Sequence, residues 1–78
     1  MKYLEELSNG DTFSLKDKLY LLTCDFKSDG QRLCYSLSDG FPCWLKSQTI
    51  IEHNPVYTLD KENNITAVKA TPKTDAIN

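Results

Sequence analysis

Each of the three glycines in this chain follows an Asn or an Asp, as Asn9-Gly10, Asp29-Gly30 and Asp39-Gly40. Such pairs reach positive φ at low steric cost, and tight hairpin turns demand positive φ. All of the glycine is therefore punctuation between extended segments. A chain of 78 residues supports one domain with a small core. Its turns predict a mainly β domain over residues 1–69, built from five to six short antiparallel strands.

Side-chain alternation between the turns has a period of two. From Leu19 to Phe26 the even positions, Tyr20, Leu22, Cys24 and Phe26, form one apolar face. In the next segment Leu33, Tyr35 and Leu37 are expected to face the core, with Arg32, Cys34, Ser36 and Ser38 outside. The two segments form a hairpin across Lys27-Ser28-Asp29-Gly30-Gln31. A third strand places Phe41, Cys43 and Leu45 inside and Pro42, Trp44 and Lys46 outside. Pro42 lacks a ladder donor, which predicts an edge strand. A 3₁₀ turn is expected at Ser47-Gln48-Thr49. Val56 to Leu59 and Ile65 to Val68 form a last hairpin, with Asn64 taking the left-handed conformation in its loop. Tyr3, Leu4 and Leu7 have helical spacing, enough for a short N-terminal turn. Asp11-Thr12-Phe13 opens a strand. Residues 70–78 have little to bury and are expected to be disordered.

Strands this short, joined by tight turns, fit a small closed barrel or a bent open sheet. The run Leu7-Ser8-Asn9-Gly10-Asp11-Thr12-Phe13, then Leu19-Tyr20-Leu21-Leu22, Ser38-Asp39-Gly40 and Pro55-Val56-Tyr57, resembles small bacterial and phage proteins with an SH3-like barrel. The resemblance covers roughly residues 7 to 59. It implies a barrel fold and a bias towards binding, and it leaves the final hairpin outside the match.

Charge and cysteine usage narrow the function classes. Nine basic and eleven acidic residues give a formal net charge of −2, with the signs interspersed. Phosphate neutralisation normally needs a clustered basic footprint. No run approaches the roughly 18 apolar residues that span a bilayer. The first residues lack the apolar core of a signal peptide, so a cytoplasmic location is expected. Cys24, Cys34 and Cys43 contain no Cys-x-x-Cys pair and are expected to be buried structural thiols. Of the three, Cys34 is expected to come closest to solvent, beside Arg32. His53 stands alone, which fits a solvated loop histidine better than a metal ligand or a base.

Trp44 lies opposite the expected core row and is the leading candidate for recognition. With Tyr35, Tyr57, Lys46 and Arg32 it is expected to form a shallow binding patch. A second small core covering Trp44 is the competing expectation. Asp29 and Asp39 have turn roles beside glycine, and Asp25 is placed to pair with Arg32 across the hairpin. The chain therefore reads as a non-enzymatic module that binds protein, with no cofactor and no metal, as a monomer or weak dimer. The alternative is a small nucleic-acid-binding barrel that gathers Lys16, Lys18, Lys27 and Arg32 around an aromatic.

Overall fold

A computed structural model describes residues 1–69. The strands are β1 (Lys2–Tyr3), β2 (Thr12–Leu15), β3 (Lys18–Phe26), β4 (Arg32–Ser36), β5 (Pro42–Leu45), β6 (Ile50–His53), β7 (Tyr57–Leu59) and β8 (Ile65–Ala67). The first six form one antiparallel sheet in the order β1-β6-β2-β3-β4-β5, and β7 pairs with β8 alone. The sheet does not close into a barrel, so of the two arrangements expected, the open one is found. Residues 70–78, expected to be disordered, lie outside the described residues.

All three Asx-Gly pairs turn as expected, with Gly10, Gly30 and Gly40 at φ 89°, 92° and 77°. A fourth tight turn escaped the sequence reading. β2 and β3 join through Lys16 and Asp17 at φ 52° and 66°, with Leu15 paired to Lys18. Two consecutive left-handed residues make a type I′ turn, which normally recruits Asn-Gly. In the last hairpin the left-handed residue is Asn63, at φ 64°, one position before the expected Asn64. At Lys46–Thr49 the chain makes a single hydrogen-bonded turn, Thr49 N–H donating to Lys46 O at 3.0 Å, in place of the expected 3₁₀ turn.

The core lies on one side of the sheet. Leu4, Leu7, Phe13, Leu22, Cys34 and Ile51 are buried together, with Leu15, Tyr20, Cys43 and Leu45 packed against them. Phe13 and Tyr20 stack across β2 and β3, with ring centroids 5.5 Å apart. The expected N-terminal turn is a 3₁₀ turn at Leu4–Glu6, pinned by Leu4 N–H to Thr49 O at 2.8 Å and Glu5 N–H to Ser47 O at 2.9 Å. It carries Leu4 and Leu7 into the core.

β4 is turned over relative to the sequence expectation. Cys34 and Ser36 are buried, whereas Tyr35 and Leu37 are exposed. The cause is register. Leu22 pairs with Cys34 and Tyr20 with Ser36, so once Leu22 faces the core its partners must follow. β3 is apolar on both faces at Leu19–Leu22, so its own pattern does not choose a side. Small side chains at 34 and 36 leave room beneath the sheet for Leu4, Leu7 and Phe13.

Cys24 and Phe26 also leave the expected core face, both being exposed. Between Leu22↔Cys34 and Phe26↔Arg32 the register shifts, so residues 23–25 stand against Leu33 alone. Such a bulge bends the strand out of the ladder. Thr23 Oγ1 donates to Leu33 O at 2.8 Å and accepts from Asp25 N–H at 3.1 Å, which holds it in place. Phe41, also expected inside, is 70% exposed just ahead of β5.

Both sheet edges are blunted. Ser36 N–H donates to Phe41 O at 2.9 Å, which turns the backbone of 41, 43 and 45 towards β4 and that of 42 and 44 to the open edge. Pro42 thus has its missing donor where no ladder bond is lost, as expected of an edge strand. At the other edge β1 is two residues long, and Tyr3 N–H donates to Glu6 Oε2 at 2.9 Å.

Candidate functional site

On β3, β4 and β5 the face opposite the core is largely apolar. Leu19, Leu21, Leu33, Tyr35, Leu37 and Trp44 share it across β3, β4 and β5. Leu33 is the direct partner of Trp44, Tyr35 of Pro42 and Leu21 of Tyr35. The pairs on β4 and β5 are the non-hydrogen-bonded kind, whose side chains approach most closely. Trp44 and Tyr35 are each 39% exposed. Among the described residues no second core covers Trp44, contrary to the competing expectation. Large aromatics arrayed on an open sheet face offer contact area at low entropy cost.

Lys27 Nζ sits 4.7 Å from the centroid of the Trp44 ring. Its ammonium makes a cation–π contact and holds the indole in place. Lys46 follows β5 on the Trp44 side and is exposed, with no ion pair among the described residues. Among the described residues the interior of the patch carries no charged side chain.

Arg32 does not belong to this surface. It lies with Cys34 and Ser36 on the core side, where its guanidinium donates to Thr23 O at 2.9 Å and to Asn9 Oδ1. Its task is to fasten the bulge to the Asn9-Gly10 turn. The contact expected with Asp25 is not made. Tyr57 is exposed on β7, whose hairpin pairs with none of the six sheet strands. Three strands, or about 19 Å of sheet, separate β5 from β6, where that hairpin departs. Of the residues expected in the patch, Trp44, Tyr35 and Lys46 share one face, while Arg32 and Tyr57 do not. Leu33, Leu21 and Lys27 complete it and were missed, Leu33 because it was placed in the core.

The four cations of the nucleic-acid alternative are not gathered either. Lys27 alone reaches Trp44; Lys16 lies in the β2–β3 turn with Lys18 just after it, at the far end of the sheet, and Arg32 is engaged beneath it.

The thiols are structural at two of three positions. Cys34, expected nearest to solvent, is fully buried, and burial first, then the neighbouring Cys43, pushes its thiol up to about 12. Burial likewise raises Cys43, its direct partner across the ladder. Cys24, expected inside, is exposed. Neither raised thiol supplies a thiolate nucleophile near neutral pH. His53 ends β6 and is exposed, and no group of three or more His, Cys, Asp or Glu able to hold a metal occurs among the described residues. Nor is any helix there long and apolar enough to cross a membrane.

The turn aspartates serve the backbone. Asp29 Oδ1 accepts from Gln31 N–H at 3.1 Å, Asp39 Oδ1 from Phe41 N–H at 3.1 Å, and Asp60 Oδ1 from Asn64 N–H at 2.8 Å. These donors hold all three carboxyls below the usual value. Burial draws the Asp11 carboxyl up, but the Lys69 ammonium at 2.6 Å and the Ser8 N–H outweigh it and leave it low.

No protein-family model, curated protein or solved structure matches this chain.

Proposed function

We propose that this chain is a non-enzymatic binding module that docks a protein partner on the outer face of β3, β4 and β5. The observation that carries the reading is Trp44, 39% exposed on the edge strand β5 beside Leu33 and steadied by Lys27. An exposed Trp and Tyr on a rigid sheet are the residue types that anchor protein interfaces. Contiguous apolar surface on a small domain is costly in water unless something covers it. Both edges are blunted, which favours the face over strand addition. The same reading has the protein act in the cytoplasm.

The test compares proteins retained from a host extract by the wild-type chain, by Trp44→Ala and Tyr35→Lys, and by Ile65→Ser, which changes an exposed apolar residue on the separate hairpin. Partners lost with the first two and kept by the third support the reading. Retention unchanged by Trp44→Ala and Tyr35→Lys refutes it.

A further inference from the structure

We infer that Asn9-Gly10 is a deamidation site that the fold holds shut, and that Arg32 is the residue that shuts it.

Of the three Asx-Gly pairs this is the one that carries an amide, so it is the one whose side chain can lose ammonia. The chemistry runs within the turn. The Gly10 nitrogen gives up its proton and bonds to Asn9 Cγ, the Cγ–Nδ2 bond breaks, and ammonia leaves carrying a proton in exchange. A five-membered succinimide results. Water then opens one of its two carbonyls. The product is an aspartate at position 9 or an isoaspartate, in which the backbone runs through the side-chain carbon. Nothing beyond water is consumed. Glycine on the C-terminal side favours the step, because no side chain shields its nitrogen and its backbone turns freely.

The structure withholds both reacting atoms. Gly10 N–H donates to Leu22 O at 2.7 Å, so the proton that must be lost is held by the β3 backbone. Asn9 Oδ1 accepts from the Arg32 guanidinium, which also donates to Thr23 O at 2.9 Å and is thereby fixed on the bulge. Around them, Asp11 N–H donates to Ser8 O at 3.0 Å and Ser8 N–H to Asp11 Oδ2 at 2.8 Å, closing the turn twice. The Lys69 stem lies across Gly10, with its ammonium on Asp11 Oδ1 at 2.6 Å. To react, Asn9 must leave Arg32 and the Gly10 nitrogen must leave Leu22 O. A guanidinium polarises the carbonyl it binds, which alone would speed attack. Here the nucleophile is occupied and the side chain tied, so immobilisation outweighs polarisation.

The tie to Arg32 sets this turn apart. Asp29 and Asp39 bond within their own turns, to the N–H groups of Gln31 and Phe41, whereas Asn9 is held by a residue 23 positions away. Release therefore requires the Arg32 contact to open as a local event, short of unfolding the sheet. An opening that ends in isoaspartate does not reverse, since the lengthened backbone no longer fits the Ser8–Asp11 turn beside buried Leu7.

The test follows Asn9 in the full chain at mildly alkaline pH by peptide mapping, which separates the asparagine, aspartate and isoaspartate forms. The folded protein should keep Asn9 over a period in which the urea-unfolded chain converts it. Arg32→Ala should speed conversion in the folded state by about tenfold or more, the worth of a charged hydrogen bond. Ile51→Val, which thins the core away from the turn, should convert as slowly as the wild type where urea titration shows both to be folded. Hydrogen exchange of the wild-type Gly10 amide is a readout that needs no variant, and it should be far slower than in the unfolded chain. A wild type that deamidates at the unfolded rate, or a Gly10 amide that exchanges as freely as in the unfolded chain, overturns the inference. So does a folded Arg32→Ala protein that converts no faster than the wild type, or an Ile51→Val protein that converts as fast as Arg32→Ala.

Discussion

Leu33 and Trp44 face each other across the β4–β5 ladder on the side away from the core, and the Lys27 ammonium lies 4.7 Å from the indole centroid. One step along each strand, Cys34 and Cys43 face each other on the buried side. The sheet thus divides its apolar residues between a core that stabilises it and a surface that does not.

That division sets the order of mutational costs. Leu22 is fully buried, so Leu22→Ala should cost about 2–5 kcal/mol, enough to unfold much of so small a domain. Trp44→Ala should cost markedly less despite removing a larger side chain. Lys27→Ala, which removes only the cation–π contact, should cost at most about 0.5–1 kcal/mol. Urea titrations of the three variants test the ranking, and a Trp44→Ala loss matching that of Leu22→Ala would place the indole in the core.

Thiol chemistry should separate the cysteines. Cys24 should be alkylated in the native protein at neutral pH, while Cys34 reacts only on unfolding. The Cys34 thiol is raised to about 12 in the fold, whereas an unfolded thiol ionises near 9.0. Its stabilisation is thus complete below about pH 9 and is lost as pH rises towards 12. Urea midpoints falling above pH 9 in the wild type, and falling less in Cys34→Val, are the expected pattern.

Acid should act through the turns. Asp11, Asp29, Asp39 and Asp60 are all held below the usual carboxylate value, so the folded state binds fewer protons than the unfolded one at low pH. Their contribution is present above the unfolded value, near pH 3.9, and fades as pH falls through the folded ones. Thermal midpoints should be level from about pH 5 to 8 and drop below about pH 4. Replacing Asp29, Asp39 and Asp60 by Asn keeps an oxygen acceptor for each turn and should flatten that drop.

The Lys16-Asp17 turn stores removable strain. Lys16 does not favour the left-handed conformation it adopts, and Asp17, which tolerates it, does so less readily than glycine. Lys16→Asn with Asp17→Gly should stabilise the protein by roughly 1 kcal/mol, read as a higher urea midpoint with an unchanged slope.

How far the sequence was legible follows from the same residues. The Asx-Gly pairs located three turns because glycine at positive φ is a local demand that no distant contact alters. Pro42 marked an edge for an equally local reason, its absent donor. The Lys16-Asp17 turn and the two-residue β1 carry no such signature, since the pairing of Lys2 with Ile51 and Tyr3 with Ile50 is created by the fold. The facing of β4 was misread because alternation identifies two faces without saying which is buried. With Leu33, Tyr35 and Leu37 on one side, hydrophobicity favoured that side. The ladder partner Leu22 and the filling residues Leu4 and Leu7 decided otherwise. Trp44 was placed correctly because Cys43 and Leu45 do face the core, whereas grouping it with Arg32 and Tyr57 needed distances that spacing cannot supply.

Everything proposed for the outer face depends on Trp44 meeting solvent in the folded monomer, and acrylamide quenching of its fluorescence reads this directly, since the chain has one Trp. At low micromolar concentration, emission should be shifted towards that of an indole in water, and acrylamide should quench the folded protein to a level between that of a buried indole and that of the urea-unfolded chain. A blue-shifted emission that acrylamide leaves untouched until the protein unfolds would contradict the exposed face and the functions assigned to it.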